Sequence, residues 1–122
     1  MQLTRDSTAV NVIRAWEPGR IRIADRWIAG NVIIGADRIV EGWTTAQPHS
    51  LSIADPEPAL ALEPTIIVLG TGTERLLPDV DLMAAVATRS VGVEIMSTPA
   101  ACRTFNVLLG EQRRVVAALF NS

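Results

Sequence analysis

A chain of 122 residues, 48% hydrophobic and 20% charged with a net charge of -2, has the size and composition of one globular domain. The near-neutral charge argues against nucleic acid as a partner, and no apolar run approaches the roughly 20 residues that a membrane span needs. A single cysteine, Cys102, excludes an internal disulfide, so a reducing cytoplasm is the expected compartment. All 11 basic residues are arginine. Without lysine there is no Schiff base, no Walker-type phosphate lysine and no lysine general base. With His49 the only histidine, a Cys/His zinc site cannot be assembled within the chain; carboxylates alone remain the one route to a metal, and no metal or cofactor is expected. Arginine to the exclusion of lysine fits GC-rich coding and a bacterial source.

Met1 to Val12 carries Arg5 and Asp6 and no apolar core, so no secretory signal is expected there. From Arg20 the chain alternates, with Arg20 and Arg22 on one face and Ile21 and Ile23 on the other, the period-2 pattern of a half-buried strand. A turn at Ala24 to Arg26 and short β-rich runs at Trp27-Ile28, Val32 to Ile34 and Ile39-Val40, punctuated by Gly30-Asn31 and Gly35-Ala36-Asp37, predict hairpins or a meander. Trp16, Trp27 and Trp43 are read as core or surface anchors, with packing favoured. Between Thr44 and Pro64, four prolines deny the backbone regular pairing and predict a connector with at most one turn of helix, around Leu51 to Asp55 or Ala59 to Leu62. His49 lies in this connector as a loop residue with no evident orienting partner.

Thr65 to Leu69 is almost wholly apolar, the signature of a strand covered on both faces and placed centrally in a sheet. After the Gly70-Thr71-Gly72 turn, Leu82, Met83 and Val86 recur at helical spacing within Asp79 to Arg89. A strand follows at Val91 to Met96. Thr98 is then expected to cap a helix with Pro99 at its first position, Gly110 to stop it, and Arg114 to Phe120 to form a last strand. Strands alternating with helices of about ten residues require right-handed crossovers, so the second half is expected to be a parallel βαβαβ unit.

Ligands on such sheets bind beyond the carboxyl ends of the strands, where the unusual residues collect. The candidate rim is Gly70, Thr71, Gly72, Glu94, Thr98 and Asn106. A dinucleotide site is disfavoured, because Arg75 occupies the third glycine position and Pro78 delays the helix whose amides would hold pyrophosphate. No serine sits in a nucleophile elbow. Cys102, in the first turn of the last helix, is either a thiolate or a small core residue; its place beside the apolar stripe favours the core. Asn106, a poor helix former in mid-helix, is expected to tie the helix to the Gly70 to Thr73 turn or to line a pocket there.

Val68-Leu69-Gly70-Thr71-Gly72, Gly92-Val93-Glu94, Ser97 through Leu108, and Arg114 to Leu119 together resemble the mitochondrial NADH dehydrogenase (complex I) assembly factor 3 family and its small bacterial and archaeal relatives. The Thr-x-x-Ala-x-x-Thr-aromatic-Asn-x-Leu string is the specific part; Gly30 to Ile34 and Trp43 match more loosely, and the resemblance runs from Ile21 to Phe120. It implies a three-layer α/β single domain with a mixed sheet, built from the βαβαβ unit and the N-terminal hairpin or meander. It also implies an accessory role in complex assembly without known catalysis, with other proteins, such as respiratory or membrane-complex subunits, as partners. Phe105 stands where many relatives have tyrosine, which removes a hydroxyl from any site. The alternative is a small-molecule or anion-binding protein, or a cryptic enzyme, using the rim.

Overall fold

The computed structural model describes residues 10–121. Strands β1 (Ile13–Glu17), β2 (Arg20–Ile23) and β3 (Arg26–Ala29) form an antiparallel meander in the order β1-β2-β3. β2 buries Ile21 and Ile23 while Arg20 and Arg22 face solvent, as the alternation predicts. Trp27 lies on the outside, with the Arg20 guanidinium stacked 4.0 Å over its ring. β1 was not expected from sequence. Its register shifts between Ile13 and Ala15, and such a bulge breaks the period-2 pattern that would reveal a strand.

The second sheet runs β5-β4-β8-β6-β7, from β4 (Val32–Ile34), β5 (Ile39–Glu41), β6 (Ile66–Gly70), β7 (Gly92–Met96) and β8 (Val115–Leu119). β6 pairs in parallel with both β7 and β8, whereas β8 pairs antiparallel with β4, so the sheet is mixed. Helix α2 (Val80–Ala87) connects β6 to β7, and α3 (Thr98–Gly110) connects β7 to β8. The expected βαβαβ unit is therefore present, with the apolar β6 at its centre. In the connector, a single 3-10 turn (Pro48–Ser50) precedes the short helix α1 (Glu57–Leu60).

Alternation along β6 and β8 sends successive side chains to opposite faces and builds two cores. On one face Val68, Val115, Ala117 and Leu119 pack with Ala101, Cys102 and Phe105 of α3 and with Ile21, Ile23 and Ile28 of the meander. On the other, Ile67, Leu69, Val116 and Ala118 pack with Ala59 and Leu60 of α1 and Leu82 and Val86 of α2. The result is three layers: meander with α3, sheet, and α1 with α2. Trp43 closes the second core, edge-on to Phe120 at 5.2 Å and donating from Nε1 to the Leu119 carbonyl at 3.2 Å.

Candidate functional site

The carboxyl end of β6 is defined by how closely α3 approaches it. A Cβ on Gly70 would lie 2.9 Å from Leu119 Cδ2, 2.9 Å from Thr98 Cα and 3.0 Å from Ala101 Cβ. Gly70 is thus required for helix-on-strand contact. Gly72 adopts φ +100°, a conformation that side chains resist, and turns the chain back so that its N–H donates to Thr98 Oγ1 at 2.8 Å while its carbonyl accepts from the Thr98 N–H at 2.7 Å. The same Thr98 hydroxyl, completely buried, donates to the Phe120 carbonyl at 2.7 Å. One side chain therefore joins the glycine turn, the start of α3 and the end of β8.

Thr71 is committed in the same way. Its hydroxyl donates to the Glu74 carbonyl at 2.6 Å and accepts from the Leu76 N–H at 2.9 Å, and its N–H donates to the Met96 carbonyl. Gly70, Thr71, Gly72 and Thr98 do come together, but their polar groups are already bonded, to one another and to Glu74, Leu76, Met96 and Phe120. The expected cap differs too: Ser97, not Thr98, caps α3, its Oγ accepting from the Ala100 N–H at 3.4 Å. Thr98 sits one residue inside the helix, which frees its hydroxyl for the three-way junction. At the far end, Gly110 is the last helical residue and Gln112, at φ 62°, makes the left-handed exit.

Asn106 does not reach the glycine turn. Its Nδ2 donates to the Ile13 carbonyl at 2.8 Å and its Oδ1 accepts from the Ile13 N–H at 2.9 Å, so the amide clasps β1 to α3. It lines an open hollow of about 270 Å3 with Ile13, Trp16, Pro99 and Arg103. Glu94 lies mid-strand and exposed, paired in register with Val68, whereas Met96 is the β7 residue level with Gly70. It stands apart from the rim. Cys102 is buried in the core, and burial pushes its thiol up to about 12, only partly offset by Arg103, so it carries a proton at neutral pH. His49 is exposed in the 3-10 turn.

Two features escaped the sequence. Asp55 organises the connector, accepting from the Thr44 hydroxyl at 3.0 Å and from the Ser52 N–H at 2.7 Å. Desolvation raises the pKa of this carboxyl, but the hydrogen bonds from Ser52 and Thr44 outweigh it and leave the group below its ordinary value. A cleft of about 390 Å3 also opens at the amino ends of β6 and β8, between Gly35–Arg38, Ala61–Pro64 and Arg113–Val116, at the opposite end of the sheet from the expected rim. Arg114 crosses its edge to bond the Glu63 carbonyl at 3.1 Å.

Residues 13–120 match the sequence profile of a family described as Protein of unknown function (DUF498/DUF598). The chain belongs to this family. A DUF498 relative of this chain is the NADH dehydrogenase [ubiquinone] 1 alpha subcomplex assembly factor 3 of Danio rerio, 32% identical over 121 residues, covering 96% of this chain and 68% of that protein. The counterpart in Mus musculus is covered over 53% of its length. The crystal structure of a protein from Bordetella parapertussis superposes with a TM-score of 0.86 at 30% identity, covering 95% of this chain and 99% of that one. An outer membrane protein from Bartonella henselae gives 0.79, also at 30% identity, covering 93% and 96%. Among the described residues of the DUF498 chain, no helix is long and apolar enough to cross a membrane.

Proposed function

We propose that this chain is a non-enzymatic accessory protein of the assembly-factor type, which acts by holding other proteins during the biogenesis of respiratory or membrane complexes. The observation that carries this proposal is the relationship to assembly factor 3 across 96% of the chain. The state of the rim supports it: for Gly72 or Thr98 to serve a substrate, hydrogen bonds of 2.7 and 2.8 Å within a buried junction would first have to break. Cys102, the one cysteine, is buried at the floor of the Asn106 hollow, and that burial keeps its thiol protonated. A place in the cytoplasm, with the protein meeting its partners before or at the membrane, belongs to the same proposal.

Affinity purification from the native cell, paired with native mass spectrometry of the isolated protein, tests it. Stable protein partners and an unliganded mass are expected. A stoichiometric small molecule with no protein partner overturns the proposal in favour of a binding protein or cryptic enzyme.

A further inference from the structure

Leu76, Leu77 and Val80 are exposed by 42%, 61% and 76% respectively, in the loop that leads into α2 and at the first residue of that helix. Immediately behind the loop, Pro78, Leu82 and Met83 line a small apolar notch of about 40 Å3 with Trp43 and Leu51. Exposed apolar side chains gathered beside an apolar notch are a mark of recognition surfaces.

The loop is pinned at three points. The Thr71 hydroxyl accepts from the Leu76 N–H at 2.9 Å and donates to the Glu74 carbonyl at 2.6 Å. Arg75 Nε reaches the Ile95 carbonyl of β7 at 3.2 Å, and Asp79 caps α2 by accepting from the Asp81 N–H at 2.8 Å. Leu76, Leu77 and Val80 are therefore presented on backbone that is already ordered, which lowers the entropic cost of docking. Three carboxylates, Glu74, Asp79 and Asp81, flank these side chains, and the one cation of the segment, Arg75, is engaged on β7. A second copy of the chain would bring two acidic rims together, whereas lysine or arginine beside an apolar stripe would complement them.

We propose that the Leu76–Val80 loop is the docking surface for a basic amphipathic segment of a partner protein. This deepens the accessory-protein assignment and rests on it. The first test is an amide NMR titration of the intact chain with an amphipathic leucine–lysine peptide and with its leucine–glutamate counterpart. Saturable shifts at Leu76, Leu77 and Val80 with the lysine peptide are expected, no response to the glutamate peptide, and binding weakened about tenfold or more by Leu77→Ser with Val80→Ser. Shifts that map elsewhere, equal response to both peptides, unchanged affinity in the double variant, or dimerisation through these residues in sedimentation overturn it. Both replaced side chains are exposed, and the same spectra report that the fold is retained.

A photo-crosslinking residue at Leu77 or, separately, at the exposed Val107 of α3 then separates the two levels in the native cell. Crosslinks from Leu77 to a basic amphipathic segment support the surface. Crosslinks from Val107 alone, or from Leu77 to a segment of other character, overturn the surface and leave the accessory role standing. Crosslinks from neither position overturn the surface and count against the accessory role as well.

Discussion

On one side of the five-stranded sheet, the 13-residue helix α3 buries Phe105 completely and is fixed at two points, by the Thr98 hydroxyl to the Gly72 N–H and the Phe120 carbonyl and by the Asn106 amide to Ile13 of the meander. On the other side, helices of four and eight residues cover the sheet more thinly, leaving Leu77 and Val80 in solvent on either side of Pro78, which lines an apolar notch. The contrast teaches that the most distinctive residues of the chain are spent on stability, and that the surface offered to partners is made of ordinary aliphatic side chains. Regions of unequal packing within one domain commonly divide labour in this way.

That contrast can be broken or sharpened by measurement. Phe105→Ala should cost about 4 kcal/mol in urea denaturation, and Leu82→Ala, on the thinner side, about 2 kcal/mol, because a loosely covered site collapses around its cavity more readily. Equal costs would erase the distinction between the two sides. Thr98→Val should destabilise by about 2 kcal/mol, since the Gly72 N–H and the Phe120 carbonyl lose their shared partner, with Thr98→Ser restoring most of the loss. A valine variant as stable as the parent would show that the junction is dispensable.

The effect of acid is smaller. Asp55 has a folded pKa below its value of 3.8 in the unfolded chain, so its contribution is present above the unfolded value and is lost as pH falls through the folded one. Asp55→Asn should therefore flatten the loss of stability between about pH 5 and pH 2. An acid limb identical to that of the parent would place the acid sensitivity elsewhere. Smallest of all, Leu77→Ser and Val80→Ser should each change stability by no more than about 0.5 kcal/mol, because both side chains already stand in water. A larger cost would mean that the loop belongs to the core.

Elements whose cause is local were legible in the sequence. The apolar run of β6, the spacing of Leu82, Met83 and Val86, and the Ser-Thr-Pro start of α3 each announce themselves within a few residues. Features made by distant partners were not. Asn106 was recognisable as anomalous, yet its partner Ile13 is 93 residues away, and β1 itself is hidden by a bulge. Thr98 was placed at the cap because a cap and a first helical residue differ by one position, and that one position sends the hydroxyl inward to Phe120 instead of back to the helix amides. Glu94 shares the strand that leads to the rim but stands two residues short of Met96, and only the pairing with β6 shows that Met96 is the residue level with Gly70. The docking loop gave no signal, since exposure is a property of the fold and not of Leu77 or Val80.

The position of β8 bears on how the protein is made. β8 follows β4, β5, β6 and β7 in the chain yet is inserted between β4 and β6, and until it arrives those two strands have no partner on their facing edges. Translation therefore delivers the β4–β5 hairpin and the β6–β7 pair as separate, sticky half-sheets, which must be kept from other chains until the residues up to Leu119 complete the ladder.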